Sequence, residues 1–169
     1  MTKCCHQAFY NARIKEISMG LGGMMMAENA FIKLVPSSAQ QTITVEEVKE
    51  FLSYYKDITS KTGNQVEWEY GDSAFPYEVK EKSEGKGKWF YLQSTNERYY
   101  AILFGVDKEM VRDEDGTERI QTYIQVTLPE QSTFGDKGKA NEFCKFLAKK
   151  LQGELHLFNE RIMYYYPRK

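Results

Sequence analysis

Residues 99–128, YYAILFGVDKEMVRDEDGTERIQTYIQVTL, decide the fold. The first part, 99–106, is nearly continuous apolar chain and predicts a strand at the centre of a sheet. The last part, 119–128, alternates. Ile120, Thr122, Ile124, Val126 and Leu128 fall on one side, and Gln121, Tyr123, Gln125 and Thr127 on the other. The intervening 107–118 reads as an ordinary exposed acidic loop, with Asp115-Gly116 at its turn. Asp107, Glu109, Asp113, Glu114, Asp115 and Glu118 lack the spacing and final bidentate glutamate of an EF-hand.

Before this stretch, 77–82 and 89–94 flank the polar, glycine-containing 83–87 and predict a hairpin. Residues 66–70 (VEWEY) alternate apolar with acidic and predict a further strand. Thr44 and Glu47 form a capping-box pattern ahead of a helix. Its apolar face is Val45, Val48, Phe51, Leu52, Tyr55 and Ile58, and its stop is at Gly63-Asn64. A first strand covers 30–35, ended by Pro36. Beyond the central stretch, a second helix runs from Asp136, read as its cap, to about Gln152. Two strands, 154–158 and 161–166, close the chain around Asn159-Glu160. Helices separated by an antiparallel meander predict an α+β fold: a two-layer sandwich, mainly antiparallel, with both helices on one sheet face.

Composition narrows the function. The chain has 169 residues with 24 acids against 23 bases, and its mean hydropathy of −0.60 accompanies no long apolar run. A membrane-spanning helix and a strongly basic nucleic-acid binder are both excluded. Residues 1–25 read as a translation leader or N-terminal extension, and 26–169 as a single domain. Gly20-Leu21-Gly22-Gly23 followed by Met24, Met25 and Met26 fits a ribosome-binding purine run ahead of start codons, so the native chain is expected to begin near Met26. Without 1–25 the formal charge moves from −1 to −3 as Lys3, Arg13, Lys15 and Glu16 leave. One cysteine, Cys144, and one histidine, His156, then remain, too few for a zinc cluster or an internal disulfide. A cytoplasmic protein is the default expectation.

His156 shares a strand face with Glu154 and reads as a histidine on a wet or edge face rather than a lone base. Cys144 lies on the second helix's apolar stripe and reads as a buried thiol. Glu67 and Glu69 share a strand face, but no sugar-binding motif accompanies them. The run 135–139 (GDKGK), with Lys137 and Lys139, precedes a helix and invites a weak anion site. It is not a Walker loop, because the earlier glycine is missing and Ala140 stands where a hydroxyl would bind magnesium. No cofactor is implied. Residues 86–91 match an RNA-binding sheet motif only at Lys86, Gly87 and Phe90, and Glu78, Glu81 and Glu84 dilute the neighbouring lysines.

The closing Tyr164-Tyr165-Tyr166 is the most unusual feature. Alternation sends Tyr164 and Tyr166 to one face and Tyr165 to the other with Met163. Tyrosine combines large apolar area with a polar tip and is favoured at interfaces. With Trp89, Tyr91 and Tyr123 these residues make the sheet face away from the helices the leading binding or dimer surface.

Residues 30–36 (AFIKLVP), 135–143 (GDKGKANEF) and 164–169 (YYYPRK) resemble a family of small uncharacterised proteins from spore-forming Gram-positive bacteria, known as a domain of unknown function. The resemblance covers 26–169 and implies a small α+β domain in a bacterial cytoplasm, with no activity to carry over. The resulting expectation is a non-enzymatic binding or interaction module, self-associating as a homodimer or meeting a protein partner. The alternatives are a single-stranded nucleic-acid binder using residues 80–88 and the lysines of the second helix, or a small-molecule enzyme using a carboxylate or tyrosine.

Overall fold

The computed structural model describes residues 27–65 and 74–167. Strand β1 (Glu28–Lys33) precedes helix α1 (Val45–Gln65). Strands β2 (Tyr77–Lys80), β3 (Trp89–Ser94), β4 (Ala101–Arg112) and β5 (Glu118–Leu128) follow, then helix α2 (Phe134–Leu151), β6 (Glu154–His156) and β7 (Ile162–Tyr164). The strands form one sheet in the order β2-β3-β4-β5-β1-β6-β7, and every neighbouring pair is antiparallel. This is the α+β architecture expected, with β5 at its centre.

The two helices cover one sheet face. Ile32, Phe90, Ile102, Phe104, Ile124 and Val126 are buried on it, and Val48, Leu52, Phe143 and Leu147 meet them from the helices. The helices lock to each other through aromatic edges: the Tyr55 ring lies 5.3 Å from Phe143 and 5.1 Å from Phe146, and its hydroxyl donates to Glu142 (3.1 Å). Helix α1 opens on the reciprocal cap foreseen. Thr44 N–H donates to Glu47 Oε2 at 2.8 Å, and Glu47 N–H to Thr44 Oγ1 at 3.3 Å. It continues through the expected stop at Gly63-Asn64 to Gln65, the last described residue of this stretch, since one glycine costs a helix only about 1 kcal/mol. The strand expected at 66–70 lies outside the described residues, as do 1–25.

Helix α2 starts two residues early, at Phe134, and its cap is Thr133. Asp136, expected as the cap, is instead the third helical residue of a capping box and is fully buried. Its carboxylate accepts from Tyr77 Oη (2.5 Å), Tyr100 N–H (2.8 Å) and Thr133 N–H (2.9 Å), tying the helix start to the sheet. Burial first, and the Asp136 bond second, hold the Tyr77 hydroxyl's pKa above its usual range.

Residues 107–118 are not the loop the sequence implied. β4 and β5 stay paired to Arg112↔Glu118, and only 113–117 turns. Asp107, Glu109 and Glu118 sit on the strands, and ion pairs join the ribbon: Arg112 with Glu118 at 2.7 Å, and Arg119 with Asp113 of the turn at 3.0 Å. Gly116 adopts φ 85° at the turn, where its N–H donates to Asp113 O (2.9 Å). The closing strands are shorter than expected, because Leu157 N–H bonds to Arg161 O (2.8 Å) and the turn takes up the intervening residues.

Candidate functional site: the sheet face opposite the helices

Antiparallel pairing aligns same-face neighbours into rows across the sheet. One row carries Trp89, Gly105, Gln125, Phe31, His156 and Ile162, and the next carries Asp107, Tyr123, Lys33, Glu154 and Tyr164. Both strands of the quoted stretch therefore contribute. The sequence pattern correctly puts Tyr123, Gln125 and Thr127 on this face.

The middle of the face is closed. Trp89 is 4% exposed and Tyr123 2%. A Cβ added to Gly85 would overlap the Trp89 ring, so the 83–85 turn lies directly on the indole. Thr127 Oγ1 donates to Asn29 Oδ1 (2.7 Å), and Gln125 Nε2 donates to the same atom (3.0 Å). A β-branched hydroxyl and an amide are thus buried with hydrogen bonds made, as burial of polar groups requires.

The open part lies toward β1, β6 and β7. Phe31, Lys33, Glu109, Tyr123 and His156 line a shallow cleft of about 220 Å³. Phe31 meets Tyr123 edge to face at 5.9 Å. Lys33 Nζ pairs with Glu109 Oε1 at 3.2 Å across the central strand. The Gln121 amide, oriented by its partners, sits 3.2 Å from Glu109 and 3.2 Å from Arg119. On the far side, His156 Nε2 lies 2.7 Å from Glu154 Oε1, and Tyr166 Oη donates to Glu154 Oε2 at 3.4 Å. A carboxylate only accepts, so Nε2 carries the proton of that bond. Burial raises the Tyr123 hydroxyl's pKa above its usual range, with the carboxylates of Asp107 and Glu109 adding to it.

The cleft has an oriented imidazole and paired charges, yet none of its lining residues is a serine, threonine or cysteine nucleophile. Cys144 is buried in the core between helix and sheet, its thiol pushed up to about 12 by desolvation. Among the described residues no group of three His, Cys, Asp or Glu could hold a metal ion. No described helix is long and apolar enough to cross a membrane.

The structure brings some expected site residues together and separates others. Trp89, Tyr91, Tyr123 and Tyr164 share this face; Tyr91 is half-buried, and Tyr164, 42% exposed, packs edge to face on Tyr166 at 5.8 Å. Tyr165 turns the other way and packs against the core with Met163. Lys137 and Lys139 lie on α2, paired with Glu28 (2.8 Å) and Glu142 (3.2 Å). Glu67 and Glu69 lie outside the described residues. Phe31, Lys33 and Glu109 were missed. The alternation of AFIKLV carried the signal for the first two, and reading 107–118 as a loop hid the third.

Comparison with known proteins fits the resemblance carried by the same segments. Residues 28–167 match the family described as Domain of unknown function (DUF1885). Among solved structures the chain is similar to "Crystal Structure of Protein of Unknown Function from Bacillus stearothermophilus", a protein of a spore-forming Gram-positive bacterium. The identity is 41% over 75% of this chain and 91% of that chain, with a TM-score of 0.47. No curated protein matches.

Proposed function

We propose, for a chain that belongs to the DUF1885 family, a non-enzymatic binding function: a protein partner docks on the sheet face opposite the helices, at its β1-β6-β7 end. The observation that carries this reading is the combination found there. Exposed Ile162 and Tyr164 border a cleft whose polar groups are already held, Lys33 by Glu109 and His156 by Glu154. Aromatic anchors beside held polar groups suit protein contact. The volume of about 220 Å³ lies below the ≈ 300–1,000 Å³ usual for small-molecule pockets. The cleft's Glu109 is held by Lys33 and its Tyr123 hydroxyl is buried with a raised pKa, which weighs against the enzyme alternative that would use a carboxylate or tyrosine.

The nucleic-acid alternative loses support from the pairing of the lysines it needs. Lys80 of the hairpin pairs with Glu78 at 3.1 Å, and Lys139 of the second helix with Glu142 at 3.2 Å. A field cancelled at contact distance steers no phosphate backbone.

The test is affinity capture from the native organism with wild type, with Ile162→Ser/Tyr164→Ser, and with the helix-side control Tyr54→Ser. A protein retained by wild type and control and lost with the double variant is the expected result. Identical capture by all three would overturn the reading.

A further inference from the structure

Phe134 is 95% exposed, the most exposed large apolar side chain among the described residues. Nothing in the helix start calls for it. It is the first residue of α2, directly after the Thr133 cap. The positions that carry an apolar staple at a helix start, one before the cap and the fourth within, are Ser132 and Lys137 here. The buried stripe of α2, with Asp136, Ala140, Phe143 and Leu147, lies on the opposite side of the helix. The ring stands in water and contributes nothing to the fold of its own chain.

The ring forms one wall of an open hollow of about 360 Å³, whose other walls include Leu128, Pro129, Glu28, Glu130 and Lys137. Its volume exceeds the about 150 Å³ that holds a benzene ring, and Leu128 and Pro129 offer a second ring apolar contact within a polar rim. Ring and hollow are neighbours on one surface. A two-fold contact needs that arrangement, because each copy then supplies the ring and receives the other's. The charges agree with it. The Lys137 side chain is 42% exposed while paired to Glu28, and Glu130 is an exposed carboxylate on the same hollow. Two acids and one base on a single lip are able to pair crosswise between copies.

We infer that a second copy of this chain docks on this surface, each Phe134 seated in the other's hollow and each Lys137 facing the other's Glu130. This contact is distinct from the sheet face assigned to a partner above.

Sedimentation equilibrium of the full chain tests it. Wild type dimerises with rising concentration, and Phe134→Ser weakens the dimer at least about 30-fold, as truncating an interface anchor does. The exposed ring is not needed for folding, which unchanged circular dichroism checks. Lys137→Glu also weakens the dimer, and adding Glu130→Lys restores it. A wild type that stays monomeric at its highest soluble concentration, or a dimer that Phe134→Ser leaves intact, overturns the inference. Failure of the double charge variant to recover overturns the crosswise pairing. Partner capture through Ile162 and Tyr164 is read separately, so either proposal is able to fail alone.

Discussion

Replacing Asp136 with alanine is expected to be among the most damaging single changes to this fold. The carboxylate is fully buried and accepts from Tyr77 Oη, Tyr100 N–H and Thr133 N–H at 2.5–2.9 Å. Asp136→Ala leaves the first two donors without their acceptor inside the protein, at about 1–3 kcal/mol each. Loss of the reciprocal cap of α2 adds about 1 kcal/mol. The total is about 3–7 kcal/mol, against about 5–15 kcal/mol for the whole stability of a typical domain. Tyr77→Phe removes one of these bonds and leaves Asp136 with its other partners, so it costs about 1.5–3 kcal/mol. The two changes are not additive: once Asp136 is gone, deleting the stranded hydroxyl costs little or even stabilises. A double-mutant cycle by urea unfolding, followed by circular dichroism and tryptophan fluorescence, gives a coupling of about 1.5–3 kcal/mol. If Asp136→Ala costs less than about 1 kcal/mol, or Tyr77→Phe costs the same in both backgrounds, the network does not hold α2 to the sheet.

Alkaline pH is a second probe. The Tyr77 and Tyr123 hydroxyls and the Cys144 thiol are raised by burial from 10.0, 10.0 and 9.0, so the unfolded chain releases these protons first. Their contribution is complete below pH 9 and is lost as pH rises toward 12. The slope reaches at most about 1.4 kcal/mol per pH unit per group. Urea midpoints across that window decline, and Tyr77→Phe makes the decline shallower; a flat profile contradicts the burial argument. Gly85→Ala drives a methyl into the Trp89 ring and costs about 1–3 kcal/mol by thermal unfolding; a change below about 0.5 kcal/mol shows that the 83–85 turn yields freely. Thr44→Ala removes the α1 cap for about 1 kcal/mol, while the exposed Ser53→Ala stays within about 0.5 kcal/mol. Equal effects of those two variants speak against the cap.

Much of the candidate site was visible one strand at a time. Alternation puts Tyr123 opposite Ile124, Tyr164 opposite Tyr165, and His156 beside Glu154 on one face. Those assignments depend only on the two-residue period of a strand, which is local. The pairing of Lys33 with Glu109 was not visible, because the two residues come from strands separated by β5 and by 76 positions of chain. Glu109 was hidden for a further reason. A ribbon stabilised by cross-strand ion pairs has the same composition as an exposed acidic loop, and the difference lies in which partner each charge meets.

What the sequence determined by itself is the set of elements and their faces: the capped helix after Thr44, the central strands around Asp115-Gly116, and the opposed tyrosines at the end. These follow from periodicity and capping, whose causes lie within a few residues. The tertiary structure decided what each face meets. Inserting β1 between β5 and β6 brings Phe31 and Lys33 against Tyr123 and His156, and folding the 83–85 turn over Trp89 covers the face at its β3 side. Burial is a property of the neighbours a side chain acquires, and chain connectivity alone does not specify them. Trp89 and Tyr123, expected among the binding aromatics, therefore became part of the sheet's buried floor. Phe134, which no periodicity singled out, was left standing in water beside a hollow.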